Sequence, residues 1–200
     1  MIRIPRTFRL VSGSPGATRQ GARGASIAEF AFVLPFMLLL LMATIDFGHL
    51  IQTRLIVTNV AREGASIGSR ATAVTSDITT MVTSSAAPLL LSGIDGRVYV
   101  TRIKAGVDKN APKPTIQTQI TAGSLAKPSQ IATASGTLGL TQKIYNHLVF
   151  NTTNNTADIR EVTVVEVMYK YRPITPLPGF VQGMLNADGG GFVVFSKAVY

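Results

Sequence analysis

The sequence contains no cysteine and only two histidines, His49 and His147. A disulfide framework, a thiolate zinc site and a cysteine nucleophile are therefore excluded, and imidazoles are too few for a histidine-based metal site. Charged residues make up only 14% of the 200-residue chain, whereas a soluble globular protein carries about 25%. This shortage of charge indicates a membrane protein, and the apolar content of 46% excludes a disordered one.

Acidic residues are absent from the first 24 positions, which hold five arginines: Arg3, Arg6, Arg9, Arg19 and Arg23. A basic end is a feature of many nucleic-acid-binding proteins. However, the remaining basic residues are dispersed among acidic ones, and a nucleic-acid interface needs a contiguous basic surface. We therefore expect no nucleic-acid partner.

A long apolar run follows this basic leader. Residues 30–45 include a single polar side chain, that of Thr44, and the low-charge stretch reaches back to Ala25. A helix of about 20 residues crosses a hydrocarbon core of about 30 Å, so we predict a membrane span at 25–46 rather than a buried core helix. A cleaved secretory signal is disfavoured because no small-x-small site follows the run. The arginines predict a cytoplasmic N-terminus and a periplasmic C-terminal domain.

Glu29 is the only charged residue from Ala25 to Ile45. A carboxylate near a membrane is costly and usually has a partner, although an acid in a first helical turn is also favoured by the helix dipole. Cleavage after Gly24 would give Ala25 a free ammonium and make Glu29 the fifth residue of the mature chain. That ammonium would then neutralise Glu29 of a neighbouring copy.

These residues resemble known sequences. The segment GASIAEF is similar to the processing site of type IV prepilin-like proteins, and residues 23–70 resemble the TadE-like family of tight-adherence pilus assembly proteins. VTVVEVMYKYRPITPLPGF resembles the last third of that family. His49 stands where the family often has arginine. The other positions that carry the resemblance are Glu29, Phe30, Pro35, Asp46, Gly48, Asn59, Ala61, Arg62, Glu63, Gly64 and Ala65.

The resemblance implies a minor pilin or pseudopilin that takes part in assembly of a tight-adherence pilus. A membrane prepilin peptidase would remove residues 1–24, with Gly24, Ala25, Glu29 and Phe30 as the processing site. The implied partners are the bacterial inner membrane, the prepilin peptidase, other pilin or pseudopilin subunits and the assembly machinery. The alternative is an unprocessed single-pass periplasmic scaffold of the same machinery.

Motifs of catalysis are missing from the sequence. No glycine-rich phosphate loop follows a predicted strand, and no G-x-S-x-G elbow occurs, so we expect neither an enzyme nor a cofactor.

Asp46 and His49 lie three residues apart, but two ligands are too few for a metal site. We expect them to be interfacial polar residues at the end of the span. Pro35 predicts a helix kink, because proline leaves the carbonyl of Ala31 without its bond.

The helix is predicted to continue beyond the span to about Gly68. This second part has an apolar stripe along one side, which gives it an amphipathic pattern. Alanines at 61 and 65 and glycines at 64 and 68 would permit close packing, either on the chain's own sheet or on a partner helix. The chain's own sheet is favoured because an amphipathic helix must bury its stripe. The predicted stripe consists of Phe47, Leu50, Ile51, Val57, Ala61 and Ala65.

The exported domain, 47–200, contains three alternating segments that predict strands at 97–104, 160–171 and 192–200. Helices are predicted within 71–92 and 139–149, and a long surface loop at about 106–139. The predicted fold class is α+β: a long N-terminal helix, transmembrane in its first half, packs on one face of a small antiparallel sheet whose other face meets water. A pilin-like architecture is also what the resemblance implies.

Overall fold

The computed structural model describes residues 20–70, 75–133, 136–175 and 192–200; of residues 20–26, 132 and 133 it describes the backbone alone. The basic leader up to residue 19 and the proline-rich and glycine-rich segment 176–191 lie outside the described residues. The chain divides after Leu41 into two compact units. The second unit, from Met42 onward, contains the sheet.

The described elements follow one another in an α–α–β–β–α–α–β–β order. They are α1 (Gln20–Gly68), α2 (Thr75–Ser85), β1 (Gly96–Lys104), β2 (Thr115–Ala122), α3 (Gln130–Thr133), α4 (Gln142–Leu148), β3 (Glu161–Tyr171) and β4 (Phe192–Val199). The three predicted strands are β1, β3 and β4, and each begins and ends within one or two residues of its predicted bounds. The helices predicted within 71–92 and 139–149 are α2 and α4. The α+β prediction, with a long N-terminal helix on a small antiparallel sheet, is confirmed.

The sheet has four antiparallel strands in the order β2-β1-β3-β4. The strands β1 and β3 are central, with Val100 opposite Val165, and their side chains are buried along almost their whole length. Such valine-rich central strands are typical of a sheet that is covered on both faces.

The first face of the sheet carries the main core. Val98, Val100, Val165 and Val167 of the central strands pack here against the second half of α1 and against α2. The residues that α1 and α2 contribute to this cluster are Val57, Val60, Ala61, Ala65, Ile78 and Val82.

The second face of the sheet does not meet water, which corrects the prediction. Ile103, Val162 and Val164 form a second core there with residues of the 131–148 region. The sequence pattern placed Glu166 and Lys170 on this face and so indicated solvent, but Glu166 is fully buried. The face is covered because its central residues are too apolar to be left in water.

The segment predicted as a loop at about 106–139 contains β2 and the short helix α3, so the prediction is wrong for these residues. β2 is rich in threonine and glutamine and is mostly exposed. β2 is a strand because it pairs with β1. Its sequence has little apolar alternation, so a sequence pattern does not predict it. After β2, the Ser129 hydroxyl and the backbone N–H of Gln130 donate hydrogen bonds to Glu166 on the second face.

The buried stripe of α1 differs partly from the predicted one. Val57, Ala61 and Ala65 are buried as predicted, whereas Phe47 and Ile51 are exposed. Further buried positions on this face are Asp46, Thr53, Val60, Gly64 and Gly68. Small and polar residues take part because the helix lies close to the sheet, where large side chains would not fit.

Candidate assembly site

The first half of α1 exposes an almost continuous apolar surface. From Ile27 to Leu41 every described side chain is exposed, with Phe32 and Phe36 among the most exposed. Within the described ranges, α1 is the one helix long and apolar enough to cross a membrane, and only 6% of its most apolar 18-residue window is buried. A core helix would bury this surface, so the helix suggests a membrane anchor with a single pass.

The predicted processing residues lie along this helix. Gly24 and Ala25 belong to α1, which starts at Gln20, and Glu29 and Phe30 have exposed side chains. Pro35 lies inside the helix, which continues beyond it. The carboxylate of Glu29 is thus presented on the apolar surface. The roles of these residues in cleavage, pairing and kinking remain predictions.

Asp46 lies where the apolar run ends, and it is buried. Its Oδ1 accepts hydrogen bonds from the backbone N–H groups of Ile174, at 2.9 Å, and Thr175, at 3.2 Å. Its Oδ2 accepts a hydrogen bond from the Thr175 hydroxyl. The carboxylate therefore attaches the segment after β3 to α1, which is a structural role beyond the expected one of a polar residue at the membrane boundary.

Tyr171 reinforces the same junction. Its hydroxyl donates a 2.8 Å hydrogen bond to the main-chain carbonyl of Asp46. Burial raises the pKa of the Tyr171 phenol, and the nearby Asp46 carboxylate raises it further. The phenol therefore stays protonated and able to donate at neutral pH. No sequence pattern indicates Tyr171 and Thr175 as partners of Asp46, because more than 120 residues separate them from it.

The motif at 59–65 has two opposite faces. Ala61, Gly64 and Ala65 are buried against the sheet and α2. A Cβ atom at Gly64 would collide with Val82 Cγ2 and would lie 3.5 Å from Val165. The inner face of the motif therefore serves helix–sheet packing, as favoured over a partner helix in the sequence analysis.

The outer face of the motif carries polar side chains. Asn59, Arg62 and Glu63 are exposed. Gly48 and His49, which belong to the stretch after the span, are exposed as well, and a Cβ atom at Gly48 would meet no atom within 4 Å. These positions are available for contacts outside the domain, and the fold itself does not require Gly48 to lack a side chain.

A further apolar stripe runs along the exposed side of the helix. It consists of Phe47, Ile51 and Leu55, whose spacing of four residues places them on one face. Together with the exposed polar residues, this stripe forms an outer surface of α1 that nothing in the described part of the domain covers.

Side chains with metal-binding chemistry are scattered in the parts of the chain that the structure describes. No group of three or more histidine, aspartate or glutamate residues lies close enough there to hold a metal ion. His147 Nδ1 and Asp158 Oδ2, 2.8 Å apart, form an isolated pair at the surface.

The comparisons with known proteins agree with the residue-level resemblance. The family model described as TadE-like protein matches residues 24–66. No curated protein and no solved structure matches the chain significantly. The match covers the apolar part of α1, Asp46 and the whole motif at 59–65, but it does not reach the C-terminal strands. The chain is thus similar to the TadE-like family over this segment, which suggests involvement in tight-adherence pilus assembly.

Proposed function

We propose that the protein is a membrane-anchored minor pilin or pseudopilin that takes part in assembly of a tight-adherence pilus. The observation that carries this proposal is the extent of the TadE-like segment. Residues 24–66 contain both the exposed apolar half of α1 and the half that packs on the sheet. One helix thus provides a membrane anchor and the backbone of a folded domain.

The orientation follows from the flanking charges. Five arginines precede the apolar segment, so the N-terminus stays in the cytoplasm and the sheet domain is exported across the inner membrane. The helix holds the subunit in the bilayer until assembly. The exposed outer surface of α1, with Phe47, Ile51 and Leu55, is then free for contact with neighbouring subunits or with the machinery.

Processing after Gly24 is the step that distinguishes a pilin from a plain anchor. The prepilin peptidase would release residues 1–24 and leave Ala25 as the new N-terminus. Its ammonium would pair with the exposed carboxylate of Glu29 in a neighbouring subunit. Two charges that are costly in an apolar bundle would then neutralise each other.

The alternative is an unprocessed scaffold held by the same helix. One observation favours it: α1 begins at Gln20 and runs through the Gly24–Ala25 bond. A protease usually acts on extended backbone, so the helix would first have to unwind there. The glycines at 21 and 24 reduce the cost, because glycine is a poor helix former.

Mass spectrometry of the native N-terminus separates the two proposals. The pilin proposal predicts a chain that begins at Ala25 when the peptidase is present and at Met1 when it is deleted. Gly24→Val blocks the cleavage, whereas the control Gly21→Val leaves it intact. A chain that keeps its arginine-rich leader in the presence of the peptidase contradicts the pilin proposal and supports the scaffold.

A further inference from the structure

One end of the sheet domain carries a concentration of exposed apolar side chains. Among the described residues after Met42, the five most exposed large apolar side chains are Phe47, Leu90, Ile94, Val107 and Ile174. Leu90 and Ile94 are 75% and 72% exposed, although they lie in an ordered connection between α2 and β1. Apolar groups that are held in solvent by a folded loop indicate a contact surface.

Hydrogen bonds and an ion pair bring together, at one end of the domain, the segments that carry four of these five side chains. The backbone N–H of Lys170 donates a 2.7 Å hydrogen bond to the carbonyl of Asp95, and Arg172 Nη2 lies 2.7 Å from Asp95 Oδ1. Asp95 follows Ile94 directly. The backbone N–H of Ile174 donates a hydrogen bond to Asp46 Oδ1. The connection 88–95, the end of β3 and the start of the packed half of α1 therefore lie together.

Val107 lies at the opposite end of the sheet. It follows the last residue of β1, Lys104, which is opposite Glu161 at the start of β3. The other four side chains of this group therefore lie on segments that meet at one end of the domain. Asp46, the residue at which the predicted membrane span ends, belongs to that end.

The polar groups at this end fit a membrane surface. A hollow of about 170 Å³ lies between the α1 turn at His49 and the end of β3, and Tyr169, Lys170 and Arg172 line it. Tyrosine is enriched where membranes meet water. Long basic side chains bury their stems there while keeping their charges in the headgroup layer.

We propose that Leu90, Ile94 and Ile174 form a membrane-facing rim that inserts into the interfacial layer of the phospholipid bilayer. Before assembly, the rim would hold the exported domain against the membrane. This inference rests on the proposed function, since it requires that the first half of α1 spans the bilayer. The occupant follows from position: Ile174 is hydrogen-bonded through its N–H to Asp46, at the end of the span.

The absence of cysteine from the chain permits a direct test with single labels. Ile94→Cys, Val107→Cys and Leu38→Cys variants of the full-length protein are each labelled with an environment-sensitive fluorophore. The three labels report on the rim, on the opposite end of the sheet and on the apolar helix. The proteins are reconstituted into vesicles of phosphatidylethanolamine and phosphatidylglycerol, and quenching by spin-labelled lipids and by aqueous iodide is measured.

The rim predicts that the label at residue 94 loses most of its fluorescence to lipids spin-labelled near the headgroup and is protected from iodide. The Val107 label, at a position of similar exposure, should respond to iodide and not to lipid. The Leu38 label should respond to lipids spin-labelled deep in the chains. A Leu90→Cys label repeats the rim measurement at a second position.

Two kinds of failure are distinguishable. If the Leu38 label is quenched by deep lipid but the Ile94 label responds only to iodide, the rim is overturned while the anchor stands. An Ile94 label protected from both quenchers would show that another protein surface, such as a second copy, covers it, and would overturn the rim as well. If the Leu38 label escapes lipid quenching, the membrane anchor and the rim fail together.

Discussion

Asp46 shows how one side chain joins distant parts of this chain. Its carboxylate accepts hydrogen bonds from two backbone N–H groups and one hydroxyl of the segment after β3. Asp46→Ala leaves these part-buried donors without their carboxylate partner, which costs about 1–3 kcal/mol. We expect guanidinium unfolding of the full-length protein in detergent to show this loss of the free energy of unfolding.

Asp46→Asn is the matched control for this prediction. The amide keeps one carbonyl oxygen for the backbone of Ile174, so the loss of stability should be clearly smaller than that of the alanine variant. Equal stability of Asp46→Ala and the parent protein would contradict the proposed junction.

Glu166 is a second buried carboxylate with a local function. It is fully buried, and it accepts hydrogen bonds from the Ser129 hydroxyl and from the backbone N–H of Gln130, the latter at 3.0 Å. Ser129→Ala removes one of these donors, and a buried acceptor that loses a hydrogen bond costs about 1–3 kcal/mol. Amide hydrogen exchange should then become faster around α3.

The control for Ser129→Ala is Ser84→Ala. Ser84 is exposed on α2 and its hydroxyl donates a hydrogen bond to the Met81 carbonyl of the same helix, so removing the hydroxyl should change stability by less than about 0.5 kcal/mol. If both variants exchange at parental rates, the carboxylate does not hold this segment on the sheet.

At the scale of elements, the two halves of α1 have different surfaces. Its first half exposes apolar side chains, whereas its second half presents small residues to the sheet. Gly64→Ala tests the close approach, because its added methyl would collide with Val82. Overpacking costs about 1–3 kcal/mol, which outweighs the gain of up to about 1 kcal/mol in helix propensity. Denaturant unfolding should show net destabilisation.

Gly48→Ala makes the same chemical change in the same helix with open space around it. Here only the gain in helix propensity remains, so stability should rise by at most about 1 kcal/mol. The opposite signs of the two substitutions are the diagnostic result. A stabilising Gly64→Ala would mean that the helix can move away from α2 without cost.

The two faces of the sheet also differ in how far sequence predicts them. Alternation in β1 and β3 correctly indicates strands, because β-branched or aromatic side chains recur at every second residue, as at 163, 165, 167, 169 and 171 in β3. Coverage of the second face depends on α3 and α4, whose segments are short. Residues of these segments are held by contacts with Ile103, Val162 and Val164. Such tertiary contacts leave no periodic signal in the sequence.

At the scale of the whole molecule, the proposed assembly depends on a charge pair between subunits. Glu29→Gln keeps the size and hydrogen bonding of the side chain but leaves the Ala25 ammonium of the neighbour without a counter-charge. An unpaired charge in a buried interface costs about 2–5 kcal/mol. We therefore expect cleavage after Gly24 to continue while pilus yield falls by about tenfold or more.

Asp77→Asn provides the control, since Asp77 is exposed on α2 and lies outside both the predicted span and the outer surface of α1. Pili counted by electron microscopy and the mature N-terminus of the retained protein form the two measurements. Normal fibre production by a cleaved Glu29→Gln protein would remove the reason for the charge pair.

The sequence alone determined the membrane-type helix, the TadE-like resemblance, three of the strands and the α+β class. These features follow from local regularities: a long apolar run, short motifs and a two-residue alternation. Only the tertiary structure decided that Asp46 bonds the end of β3, that Glu166 is buried, and that both faces of the sheet are covered. Each of these depends on residues that are distant in the chain, and a hydrogen-bond partner or a covering segment is selected by three-dimensional proximity.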